Sequence, residues 1–151
     1  MLFHFSFLIL FTSFLYCNDA HSLTWENLRQ LNYETGEMPE SLLKYDQKLV
    51  QVEGFIVPLE MDEYMNSVTE FFLVPDPMAC IHVPPPPPNQ IIYVKMNHSI
   101  PLDMDYRGIS ITGILRFITS SDGIHGYDMD GVSAEEADIE YEDPLMNIIN
   151  N

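Results

Sequence analysis

The hydrophobic and polar positions change period along the chain. Phe5 to Tyr16 is a nearly unbroken apolar run, interrupted only by Ser6, Thr12 and Ser13. It is too short to span a bilayer as a helix and has the length of a signal-peptide core. Residues 1–17 are therefore expected to be a signal peptide. Thr24 then stands before Trp25, Leu28 and Leu31, a capping residue ahead of helical spacing, so a short N-terminal helix is predicted. A second short helix is predicted near Pro39 to Tyr45, inside a loop that holds Gly36.

From Leu49 the period shortens to two. Leu49 to Val57, Glu70 to Val74, Gln90 to Met96 and Ser110 to Ile118 read as strands, and residues 125–132 as a weaker fifth. Pro58, Pro75 and Pro77 stop pairing, because proline has no N–H to give to a ladder. Gly54 and Gly113 lie inside strands, where a bulge or kink bends the chain. Short strands with interior glycines predict a mainly β fold, a small five-stranded OB-like barrel, with a β-sandwich as the alternative. Residues 133–151 hold Glu135, Glu136, Asp138, Glu140, Glu142 and Asp143 and are expected to form an acidic, solvated tail.

Charge narrows the function. Six basic residues face 23 acidic ones, a formal charge of −17, and none of these residues lies in positions 1–18. Such a surface repels phosphate, so no nucleic-acid partner is expected. Anionic membrane surfaces are disfavoured as well, while cations and metal ions are attracted.

Cys17 follows the apolar run directly, where a lipidated cysteine would sit, and gives a candidate membrane tether. Cleavage after Cys17 or after Ala20 is the alternative. In each case Cys80 is left without a cysteine partner in an oxidising compartment, which points to metal ligation, intermolecular pairing or burial.

Cys80 and His82 are two residues apart, so on an extended backbone both side chains face the same way. Thiolate sulfur and imidazole nitrogen are zinc ligands, but a site needs more than two. His98, His125, Asp76, Asp103, Asp105, Asp128 and Asp130 are candidates for the remainder, and spacing does not choose among them. A nucleophile–base pair, or a buried cysteine beside a hydrogen-bonded histidine, are the other readings of Cys80 and His82. Pro84, Pro85, Pro86, Pro87 and Pro88 form a stiff polyproline rod that connects two strands and aims Asn89 and Gln90. These seven residues are candidates for contact with a partner protein.

The segments Leu23-Thr24-Trp25-Glu26, Val52 to Leu59, Glu70 to Pro75, Ala79-Cys80-Ile81-His82-Val83 with Pro84 to Gln90, and Ile111 to Arg116 together resemble one family. It is the bacterial family catalogued as domain of unknown function 3299 (DUF3299), and the likeness covers residues 23–132. The family tends to carry an aromatic residue and a glycine where this chain has Asp76-Pro77-Met78. The resemblance implies an exported, often lipid-anchored OB-like barrel of Gram-negative bacteria. It also implies genes near ATP-driven efflux-permease components, some linked to zinc handling, and it implies no established activity. The expectation is a periplasmic binding module, with zinc at Cys80 and His82 and an envelope ABC-type transporter as partner. A Cys-dependent enzyme or thiol-redox protein, and a structural barrel without a ligand, are the alternatives.

Overall fold

The computed structural model describes residues 19–59, 66–78, 85–105, 107–118 and 123–140. Residues 1–17, expected to be a signal peptide, with Cys17, and residues 141–151 of the expected acidic tail, lie outside the described residues. No helix among the described residues is long and apolar enough to cross a membrane.

The chain runs β1 (His21–Ser22), α1 (Trp25–Leu28), α2 (Glu40–Leu43), β2 (Leu49–Pro58), β3 (Ser67–Val74), β4 (Ile92–Pro101), β5 (Ile109–Phe117) and β6 (Tyr127–Glu136). The order around the barrel is β2-β3-β4-β6-β5, and β5 pairs again with β2 to close it. β4 and β6 are parallel, and the other barrel neighbours are antiparallel. This closed five-stranded barrel is the OB-like fold expected, and the β2–β5 closure excludes a sandwich of two separate sheets.

Closure depends on a corner in β2. Leu49 to Gly54 pair with β5, and Phe55 to Pro58 pair with β3. Gly54 is the residue at which the strand changes partner. A Cβ there would lie 2.7 Å from the Val74 carbonyl oxygen and 3.1 Å from the Trp25 ring. Gly113 marks a second irregularity, a register shift between Thr112 and Gly113 in the β5–β6 ladder. Gly54 and Gly113 thus lie at a change of partner and at a register shift, where interior glycines are expected.

The core follows the period-two pattern. Val50 and Val52, Phe71 and Leu73, Ile92 and Val94, Ile109 and Ile111, and Tyr127 and Met129 are all buried. Helix α1 covers one barrel end. Thr24 and Asn27 form a reciprocal capping box at its start, and Leu28 is fully buried beneath it. Trp25 Nε1 donates to the Glu53 carbonyl at 2.6 Å, which holds the helix against the β2 corner.

Two boundaries differ from the sequence reading. The helix predicted to reach Leu31 ends at Leu28, although Leu31 remains buried. Residues 133–136, expected in the tail, continue β6, and Ala137 and Ile139 bond onward to the Gly108 and Arg107 carbonyls. The acidic side chains Glu135 and Glu136 are exposed on this strand, so charge density did not prevent pairing.

Candidate functional site

Cys80, His82 and Pro84 lie outside the described residues, within 79–84. What the structure describes is the two posts between which that segment is strung. On the leading side, Asp76 Oδ1 accepts from the Met78 N–H at 2.8 Å, a local turn of the kind short acidic side chains favour. On the trailing side Pro85 is exposed, and Pro88 to Gln90 tighten into a 3-10 turn.

Asn89 fastens that turn. Its amide Nδ2 donates to the Leu31 carbonyl at 2.9 Å and to the Arg29 carbonyl at 3.1 Å, just past the end of α1. Helix ends leave carbonyls without partners, and these need donors from elsewhere. Tyr127 serves the same end, because its hydroxyl donates to the Leu28 carbonyl at 2.6 Å. The Gly126 N–H donates to the Pro88 carbonyl at 2.8 Å and ties the proline run to the β5–β6 connection. Asn89 is only 8% exposed, so its side chain is committed to the barrel and does not present itself to a partner. Of the expected partner-facing run, Pro85 to Pro88 and Gln90 keep accessible surface.

His125 lies beside this fastening. Its ring centroid is 5.8 Å from that of Phe72 and 5.7 Å from that of Tyr93, on the outer face of β3 and β4. Nε2 is 3.0 Å from Asp128 Oδ1, while Nδ1 is buried and has no hydrogen-bond partner among the described residues. A cavity of about 200 Å³ borders His125, Pro88, Leu31 and Gly126. Of the histidines and carboxylates named from sequence as further ligands, the structure brings His125 and Asp128 together. Among the described residues no three His, Cys, Asp or Glu side chains gather closely enough to hold a metal ion.

A second polar feature had no signal in the local sequence. Where β2 leaves β5, the Ile56 N–H donates to Asp105 Oδ2 at 2.9 Å. The carboxylate thus replaces a strand partner at the seam of the barrel. Asp105 Oδ1 is buried without a partner among the described residues. Burial raises the Asp105 carboxyl to about 6, opposed by the hydrogen bond from Ile56. The folded protein therefore binds this proton more tightly than the unfolded chain, whose aspartates titrate near ~3.9. Stability from this group is complete below that value and is lost as pH rises through about 6. Asp105→Asn retains an oxygen for the Ile56 N–H and removes the charge. Because the residue is partly exposed, the expected gain at pH 7.5 is discounted to about 1 kcal/mol. Urea unfolding should show the gain at pH 7.5 and its disappearance by pH 4, and an equal gain at both refutes the assignment.

The fold and this fastened connector define a small OB-like barrel protein whose β3–β4 connection carries a Cys-x-His, proline-rich sequence. The family model described as protein of unknown function (DUF3299) matches residues 21–136, and the chain belongs to that family. It is similar to a DUF3299 family protein from Pseudomonas aeruginosa PAO1 of known crystal structure, with 30% identity and a TM-score of 0.61. That similarity covers 83% of this chain and 99% of the other. No curated protein matches the chain.

Proposed function

We propose that the chain is an exported, non-catalytic module that binds zinc through Cys80, His82 and His125 and serves an envelope ABC-type transporter. The observation that carries the metal reading is the state of His125. A metal-ligating histidine characteristically gives its second ring nitrogen to a carboxylate, which fixes ring and tautomer. His125 has that carboxylate in Asp128, and its other nitrogen is unclaimed among the described residues. The cavity at His125 borders Pro88, the fixed end of the segment that carries Cys80 and His82. Three protein ligands with one open position fit a zinc site that receives or passes on its ion. Export and transporter service rest on the apolar segment 1–17 and on the family resemblance, with Cys17 as the candidate tether.

Elemental analysis of the purified protein tests this. About one zinc per chain is expected, with loss in Cys80→Ala, His82→Ala and His125→Asn and weaker retention in Asp128→Asn. A metal-free parent that also fails to take up added zinc ends the reading.

The Asp128–His125 pair equally suits the orientation of a general base for a nucleophilic cysteine. That second reading requires Cys80 to alkylate rapidly near neutral pH in metal-free protein, with the rate falling in His125→Asn. A protected thiol excludes it.

A further inference from the structure

We propose that the cavity at the β2–β5 seam binds a primary ammonium group carried on a short apolar body, with Asp105 as its counter-charge. The cavity measures about 730 Å³, within the size range of small-molecule sites. Phe55, Ile56, Pro77 and Ile139 supply apolar wall, and Asp105, Glu140 and Arg107 supply the charge.

The distribution of partners selects the ligand. Asp105 Oδ2 is occupied by the Ile56 N–H, and Oδ1 is buried with no partner among the described residues. Buried acceptors are nearly always satisfied, so an orphan oxygen on a residue that lines a cavity needs a donor from outside the chain. Arg107 does not fill that need, because its guanidinium is paired with Asp138. Glu140 adds a second carboxylate to the lining, so the free charge facing the cavity is negative. A formal charge of −17 favours cations approaching from solution.

A bare divalent ion suits this site poorly. Calcium seeks about six to eight oxygen ligands, and magnesium near-octahedral oxygen geometry. The described lining offers two carboxylate side chains among apolar walls. An ammonium with a few methylenes uses both the carboxylate and the hydrocarbon. The inference rests on Asp105 and not on the zinc reading, and His125, the described residue among the proposed zinc ligands, does not line this cavity.

Calorimetric titration of the full chain at pH 7.5 tests the proposal, with n-butylammonium chloride as probe and 1-butanol as its neutral counterpart. Saturable binding of the ammonium, roughly millimolar or tighter for so small a ligand, and at least tenfold weaker binding of the alcohol are expected. Asp105→Asn should weaken binding at least tenfold. Glu140→Lys, at an exposed position that leaves the seam intact, should do the same. An N-acetylated, C-amidated Gly-Lys-Gly peptide separates two sources of the same group. Tighter binding of the peptide assigns the ammonium to a protein chain, and tighter binding of butylammonium assigns it to a free amine. No saturable binding of either, equal binding of 1-butanol, or binding undiminished in both variants overturns the proposal. Displacement of butylammonium by calcium at equal concentration overturns it as well.

Discussion

Gly54→Val is expected to destabilise the barrel by about 3 kcal/mol, the upper part of the range for overpacking a well-filled interior. At this position the added Cβ meets the Val74 carbonyl oxygen at 2.7 Å, Leu73 Cγ at 3.0 Å and the Trp25 ring at 3.1 Å. The flexible neighbours can shift, but the carbonyl belongs to the β2–β3 ladder and moves only if the pairing opens. The corner also serves three elements together, since β2 exchanges β5 for β3 there and Trp25 of α1 bonds to the adjacent Glu53 carbonyl. Valine thus strains the closure of the barrel and the seating of the helix together. With native stabilities of about 5–15 kcal/mol, such a loss is a large fraction of the total. Urea unfolding should show a lower midpoint with an unchanged slope. A midpoint within error of the parent refutes the corner assignment. Gly123→Ala is the contrast, because its Cβ would meet nothing within 4 Å and only the positive φ of 67° opposes it. Its cost should be near the ~1–2 kcal/mol of a left-handed alanine.

That corner was legible before any coordinates, for a physical reason. A glycine inside a run of valine and isoleucine weakens a strand and is kept only where the chain must bend or approach another backbone. The runs around Val50, Phe71, Val94 and Ile111 were legible because half-buried strands write their burial with period two. β1 was not, since His21–Ser22 is too short to carry a period and pairs in parallel with residues about 29 positions away, such as Val50. The end of β6 was misread because acidic side chains look alike on a solvated tail and on the outer face of a strand. The pairing of Ile109 with Glu136 is visible only in three dimensions. The candidate site was half legible. The Cys80–His82 spacing and the proline run stand out in sequence, and His125 and Asp128 were among many possible ligands. Asp105 at the Ile56 N–H joins residues 49 positions apart, and no local pattern reports such a contact.

Asn89→Ala should cost about 2 kcal/mol, and the isosteric Asn89→Asp more, about 4 kcal/mol at pH 7. Alanine removes the donors that serve the Leu31 and Arg29 carbonyls. A buried acceptor left unpaired costs roughly 1–3 kcal/mol. The Leu31 bond is the buried one and the Arg29 bond is part-buried, so water can replace the latter in part. The variant also deletes Asn89 Oδ1, which is buried without a partner among the described residues, and that gain offsets some of the loss. Aspartate fills the same volume but sets a carboxylate oxygen against two carbonyl oxygens, so the anion is repelled where the amide was held. Its folded-state affinity for a proton must rise, because only the protonated acid can donate to a carbonyl. A carboxyl raised in the folded state contributes its stability at low pH and loses it as pH increases. The deficit of Asn89→Asp should therefore shrink towards that of alanine, about 2 kcal/mol, near pH 4, while that of Asn89→Ala stays level. Chemical unfolding of both variants at pH 4 and pH 7 gives the four numbers. If aspartate costs no more than alanine at pH 7, Asn89 is not the donor that fastens the proline run to α1. Its burial would then be packing alone.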